Sequence, residues 1–549
     1  MALKHVNAVV VGAGAGGGVV AKELSAAGLS VVLFERGDWV RFETHGQDEL
    51  LNQRTTVLGN AYGPDDRSPR LSETGPGQWR IVLPNEGGYG NNAACVGSGT
   101  VSYGAMGWRF LEKDFRMRST YGRPDGSTLD DWPIIYDDLE PFYEKAEWEI
   151  GVSGDMSENP FVAPRRKDYP MPAFPHAREG RMLQAAGKRL GWHPFPIPML
   201  RNSVPYGGRN ACIHNRFCCG YACPNNAKNG THNTVIPRAL ATGLCELRTN
   251  AIVSEIVIDE RGVARGVKYF DADERAQYQT ADLVVASGGA IESARLLLNS
   301  KSKLFPTGAG NRHDWVGRNL QDHAYSGAFG LFEEETYDDV GPGATIAISD
   351  FNHGNPGRRG GGALCNEFIR PPYAFTWTRP PGAPRWGRAH KDFQRHFFKR
   401  SVGVMGPVQE MPVFDTRVEV DPVMKDHWGI PVIRISGNRH PEDLETGKFL
   451  AARAEQWLKE AGAAQTWINL PGKVQRSGQH QAGTCRMGND PATSVTDRTG
   501  RVHDIDNLYV ADGGLHVTNG GFNPALTIMA LGFWVGHHIT ARWRNGALQ

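Results

Sequence analysis

The stretch that most limits what this chain can fold into lies at its start. Ala8 to Val11 is a short apolar run, and Gly12, Gly14 and Gly17 follow it in the spacing G-x-G-x-x-G. An unbroken apolar run of this kind suits a parallel strand buried on both faces. The first glycine permits a tight turn, the second lets backbone approach a pyrophosphate, and the third lets helix pack on strand. The spacing predicts a helix over about 17–27, with Val20 and Leu24 one turn apart and its first amides turned toward an anion. A second strand, Val31 to Phe34, ends on Glu35, placed to accept hydrogen bonds from ribose hydroxyls. A glycine-rich structural turn is the competing reading. Strand, glycines, helix, strand and acid in this order weigh against it and predict a dinucleotide-binding unit.

The fingerprint alone does not separate NAD from FAD. Two distant segments help. Leu283 to Ala286 is another buried-strand run that ends in Ser287-Gly288-Gly289 and leads into a helical Ala290 to Leu298. Leu508 to Ala511 is a third, ending on Asp512-Gly513-Gly514. Glycines at strand ends admit a ligand to the backbone, and an acid there can bind sugar-like hydroxyls. A sheet served by both ends of the chain suits the large FAD better than a modular NAD domain. The expected fold is α/β (α+β overall). Its parts are a Rossmann-like FAD-binding domain and an intertwined substrate domain built on an antiparallel sheet.

Bulk properties remove several function classes. The chain of 549 residues has room for a large core and about two or three domain-sized units. A net charge of +1 with 22% charged residues gives no electrostatic case for nucleic acid or an anionic membrane. No apolar run reaches the length of a transmembrane span; Ala525 to Gly536 is too short and reads as a buried helix. The buried-strand pattern begins almost at Met1, so a cytoplasmic protein without a signal peptide is expected. Export to the periplasm with a signal-bearing partner subunit is the alternative.

Near the other end the chain reads His480-Gln-Ala-Gly-Thr-Cys-Arg-Met-Gly and then Asn523-Pro-Ala-Leu-Thr527. An imidazole titrating near neutrality is a suitable acceptor for an alcohol proton. These motifs, the N-terminal fingerprint, the run Gly90-Asn91-Asn92-Ala93-Ala94-Cys95-Val96-Gly97-Ser98-Gly99-Thr100 and Val316 to His323 together resemble the glucose-methanol-choline (GMC) oxidoreductases over almost the full length. Trp108-Arg109-Phe110, Asp131-Trp132-Pro133-Ile134, Asp137 to Tyr143 and Asn225 to Pro237 resemble bacterial sugar and gluconate dehydrogenase catalytic subunits of that family. Related enzymes oxidise glycosides.

The resemblance implies that His480 takes the hydroxyl proton. Asn523 then holds the same oxygen and fixes the reacting carbon over the flavin, an orienting role. It also implies that Asn91, Asn92 and Ala93 line the flavin, where amides can both donate and accept. Val253 would give backbone contacts to adenine. With Gly12, Gly14, Gly17, Glu35, Asp512 and Gly513 these complete the expected FAD site. His516 lies near the same motifs without an assigned role.

Four of the eight cysteines, Cys212, Cys218, Cys219 and Cys223, fall within twelve residues. Thiolates this dense can hold an iron–sulfur cluster. The dehydrogenases resembled here carry a three-iron cluster in this region that passes electrons to a haem partner. A small subunit and a cytochrome c acceptor are therefore implied. Zinc is an alternative, although the vicinal Cys218-Cys219 pair is awkward for a tetrahedral site; a disulfide or plain buried thiols is another.

The expected blocks are 1–110, 225–330 and 475–549 for FAD, and 111–224 and 331–474 for substrate. In the latter, Arg417 to Asp421 alternates as a half-exposed strand of an antiparallel sheet should. The Pro-, Arg- and Trp-rich stretch 376–386 suits an access lid, a docking edge or exposed turns. The resulting expectation is FAD-dependent oxidation of a sugar, glycoside or polyol hydroxyl to a carbonyl, with the electrons passed to a redox partner or acceptor. The alternatives are an oxidase that makes hydrogen peroxide, a lyase on the same fold, and a non-catalytic flavoprotein.

Overall fold

The computed structural model describes residues 4–52, 62–90, 93–341, 343–474 and 478–548. The apolar run at the N-terminus forms the strand Val6–Val11, which pairs in parallel with Val31–Phe34 on one side and Ala276–Ala286 on the other. Cys245–Arg248 extends this sheet beyond Val31–Phe34, and Leu508–Val510 lies parallel beside Ala276–Ala286. Residues far apart in sequence thus make one sheet, whose central strands carry buried Val, Leu and Ala because both faces are covered. The long strand Ala276–Ala286 also serves a second neighbourhood. Its first half pairs antiparallel with Ala264–Phe270, which pairs in turn with Ile252–Ile258.

The glycine turn feeds the helix Ala15–Ala26, buried along most of its length. It packs against the C-terminal helix Ala525–Arg544, whose Gly532 and Gly536 face Val19 and Glu23 closely. No helix among the described residues is long and apolar enough to cross a membrane.

The second sheet has six strands, all antiparallel. Its order is Gln465–Asn469, Tyr325–Leu331, Ser401–Pro407, Leu364–Asn366, Ile346–Ile348, Phe195–Pro196. The helix Pro441–Glu460 covers it, with Leu450, Ala454, Trp457 and Leu458 buried. Tyr325–Leu331, in this sheet, runs across residue 330, the expected end of an FAD block.

The strand foreseen at Arg417 to Asp421 forms as Arg417–Lys425, in a four-stranded mixed sheet rather than in the six-stranded antiparallel one. It pairs antiparallel with Pro431–Ser436, which runs parallel to Arg70–Gly75, and that pairs with Gln78–Val82. Alternation reports one wet face; it does not report which sheet the strand joins.

Candidate active site

Three parallel strand ends meet at the glycine turn. Ser287 N donates to Val11 O at 2.8 Å, and Ser287 Oγ donates to Ala511 O at 2.5 Å. Gly12 sits here at φ +104°, and a Cβ on it would overlap the Ser287 carbonyl oxygen. A Cβ on Gly17 would likewise overlap the Gly12 carbonyl, so that glycine serves the close helix–strand packing expected of it.

From this turn a cavity of about 490 Å³ opens, lined by Gly12, Gly14, Glu35 and Val253 at one end and by His480 and Asn523 at the other. Ala93, Asp512 and Gly513 line it between. Gly17 lies behind the wall. Asn91 and Asn92 fall outside the described residues.

Glu35 is buried, its two oxygens accepting from the amides of Ala13 (3.0 Å) and Gly37 (3.1 Å). Burial pushes its carboxyl up to about 7, against the pull of those amides. Ala251 N donates to Glu35 O at 3.0 Å, which seats Val253 beside the acid. Asp512 has a different environment. Its carboxylate accepts from Ser293 Oγ (2.5 Å) and from the amides of Gly289 (3.0 Å) and Gly514 (2.8 Å). The acid thus ties the start of the helix Ala290–Asn299 to the end of Leu508–Val510, and burial raises its carboxyl.

At the far end His480 and Asn523 are neighbours, with Asn523 Nδ2 3.3 Å from His480 Nε2. His480 and the segment after it are held from several sides. Gly483 N donates to Gly513 O (3.1 Å), and Gln321 and Ala482 exchange backbone bonds of 3.0 and 2.9 Å. Asn519 Nδ2 donates to the His480 carbonyl at 2.7 Å. Asn523 stands just before the helix Ala525–Arg544, and its amide is oriented by two side chains. Trp108 Nε1 donates to Asn523 Oδ1 (3.2 Å), while Asn523 Nδ2 donates to Tyr325 Oη (2.8 Å). An indole N–H can only donate, so the amide oxygen faces Trp108 and the NH2 faces His480 and Tyr325.

Tyr325, Trp108 and His323 were not assigned roles from the sequence. Trp108 and His323 lay inside family-like stretches; Tyr325 opens an ordinary strand and carried no signal. His516 is fully buried against Phe110 and Trp132, outside the cavity wall, and burial holds it at about 3.

The four clustered cysteines gather near one cation. Arg201 Nη2 donates to Cys218 Sγ at 3.2 Å, and the charge of Arg201 acts on Cys212, Cys218, Cys219 and Cys223 alike. Burial would raise the Cys218 thiol, but Arg201 and Lys228 outweigh it and lower its pKa. No disulfide joins any of the eight cysteines. Among the described residues no three His, Cys, Asp or Glu side chains converge as a metal site. The iron–sulfur expectation lacks such a ligand set among the described residues. The same geometry leaves zinc without a ligand set. Cys219 lines the main cavity.

The parallel sheet, the glycine turn aimed at a cavity and the His–Asn pair at its far end define a flavin-type oxidoreductase. Comparison with known proteins carries this to the family. The chain belongs to the GMC oxidoreductases, whose sequence descriptions match residues 118–325 and 412–532. It is 31% identical to 6'''-hydroxyparomomycin C oxidase of Streptomyces lividus over 95% of this chain and 89% of that one. It is 27% identical to the gluconate 2-dehydrogenase flavoprotein of Pantoea cypripedii over 97% and 93%. Formate oxidase of Aspergillus oryzae, a protein with FAD, shares the fold at a TM-score of 0.66 and 16% identity across the whole of both chains. FAD-dependent oxidation of a CH–OH group is therefore this protein's chemistry.

Proposed function

We propose that the protein oxidises one hydroxyl of a sugar, glycoside or polyol to a carbonyl, with His480 as the base and Asn523 holding the substrate oxygen. The observation that carries this reading is the single cavity joining the Gly12 turn to the His480–Asn523 pair. Gly12 and Gly14 would hold the pyrophosphate, Glu35 the adenosine ribose, Val253 the adenine through its backbone, and Ala93 and Gly513 the rest of the cofactor. When bound, FAD supplies a hydride acceptor over which the substrate carbon is held.

The chain's own work is to take a proton and to hold an oxygen. His480 Nε2 accepts the hydroxyl proton as the carbon gives up its hydride. Asn523, pinned by Trp108, donates an N–H to the same oxygen as charge gathers on it. The substrate end also carries Glu367, Phe368 and Met405. That mixture of an acid with apolar surfaces suits a molecule with several hydroxyls and C–H faces.

His480→Ala should keep FAD bound and lose on the order of 10²–10⁴ in the rate of flavin reduction, the usual weight of a general base. A variant that reduces flavin at the wild-type rate would overturn the assignment. The acceptor is a separate question. Without a fitted cluster, the cysteines no longer argue for an electron relay. Peroxide formed stoichiometrically with product in air identifies an oxidase; reduction of a dye or of added cytochrome c without peroxide identifies a dehydrogenase. Product formed anaerobically with the flavin's yellow absorbance intact would instead identify a lyase.

A further inference from the structure

We infer that His323 is a positioning residue that sets the tautomer of His480, so that the basic nitrogen of His480 is the one turned toward Asn523. The inference rests on the base role proposed for His480 and deepens it. The logic is one of donors and acceptors. His323 Nε2 lies 2.9 Å from the Asn519 carbonyl oxygen and 2.8 Å from that of Gly520. Carbonyl oxygens only accept, so Nε2 carries the hydrogen. The ring is buried, and desolvation lowers its pKa, so it is neutral and its Nδ1 holds a lone pair.

That Nδ1 faces His480 Nδ1 at 3.0 Å, the two rings standing at 83° to each other. Two lone pairs cannot face each other at hydrogen-bond distance. The hydrogen is therefore on His480 Nδ1, and His480 Nε2 is left with the lone pair. Nε2 is the nitrogen 3.3 Å from Asn523 Nδ2, at the cavity end where a substrate hydroxyl would sit.

The rest of the environment holds His323 in this pose. Its backbone is left-handed, φ +60°, a conformation uncommon outside glycine. Glu410 fixes it, with one oxygen accepting from the amides of Asp322 (3.0 Å) and His323 (3.1 Å) and the other from Ala324 (2.7 Å). Arg439 bridges Glu410 (2.8 Å) and Asp322 (2.7 Å) and keeps Glu410 ionised against its burial. When His480 Nε2 gains the substrate proton, the charge on that imidazolium is met by the lone pair of His323 and, behind it, by the Glu410 carboxylate. The step balances: one proton moves from the hydroxyl to His480, and none moves onto His323.

Two replacements separate this role from mere packing. Asparagine tolerates a left-handed backbone and puts its Oδ1 where His323 Nδ1 was, preserving the acceptor. Leucine and glutamine remove the acceptor from that place. His323→Asn should reduce flavin within about tenfold of wild type. His323→Leu and His323→Gln should fall on the order of 10²-fold or more, the lower range for a displaced base, with FAD content and substrate Kd unchanged. Equal rates in the Asn and Leu variants, with both folded and loaded, would overturn the inference.

A second readout does not need turnover. In protein labelled with nitrogen-15 at histidine, the resonances lost in His480→Gln identify His480. They should show a protonated Nδ1 and an unprotonated Nε2 in the wild type. The opposite tautomer would overturn the inference whatever the kinetics. If His480→Ala oxidises substrate normally, the base assignment fails instead, and the NMR result still reports on His323.

Discussion

Glu35 shows how one side chain's environment becomes a measurable property of the whole enzyme. Its carboxyl is pushed up to about 7 by burial. Ribose hydroxyls donating to it would favour the anion and so lower that value. The sign then follows from linkage. FAD binding tightens as pH rises toward 7 and levels off above it. Going from pH 7 to pH 6 should weaken FAD binding to the apoprotein by up to about fivefold, by fluorescence titration. Glu35→Gln should bind more weakly at pH 8 and lose this slope; an unchanged slope in the variant would exclude Glu35 as its source. Asp512, also buried and raised, is not expected to behave this way, because its oxygens already tie two elements together. Residue type alone made the two acids look alike. Their hydrogen bonds distinguish them.

At the scale of elements, catalysis depends on how short segments are clamped to long ones. Trp108, which orients Asn523, is followed by Arg109, whose guanidinium bonds Glu147 (2.8 and 2.7 Å), Glu140 (3.1 Å) and Tyr136 Oη (3.0 Å). This buried network straps the Trp108 segment to the helix Tyr136–Ala146 and the turn after it. Removing the cation leaves Glu147 buried with only Arg165 beside it. Arg109→Met should cost about 3–5 kcal/mol, read as a lower denaturant midpoint. Activity should fall as well, since Asn523 loses a firmly held orienting partner. A variant of wild-type stability would show that the network is not a clamp. The strand Arg417–Lys425 carries the complementary lesson. Its pattern was legible, but its sheet was decided by pairing with Pro431–Ser436, which itself runs beside Arg70–Gly75.

At the scale of the molecule, the cavity lies between the parallel sheet and the antiparallel one, and both contribute to its lining. Cofactor binding should therefore stabilise the chain as a unit. At free FAD of 100 times its Kd the gain is about 2.7 kcal/mol, seen as a rise in Tm that depends on FAD concentration. A Tm insensitive to FAD would argue against this cavity as its site. Of two relatives similar along nearly the whole chain, one is named a dehydrogenase and the other an oxidase. Whole-chain likeness therefore leaves oxygen use to the peroxide measurement.

What the sequence determined by itself was local or motif-borne. The apolar run, three glycines, second strand and acid specified the cradle, because turn geometry and a two-face-buried strand restrict which residues can stand there. His480 and Asn523 were legible through family motifs. Tertiary structure alone decided the rest. His323 meets His480 across 157 positions and Trp108 meets Asn523 across 415, and no periodicity connects residues so far apart. The cysteines present the same case in reverse. Their spacing suggested a cluster, but no three such ligands group together among the described residues, and the cation beside Cys218 comes from Arg201, whose burial only the folded chain could reveal. Local chemistry chooses which groups are available, and packing chooses which of them share a hydrogen.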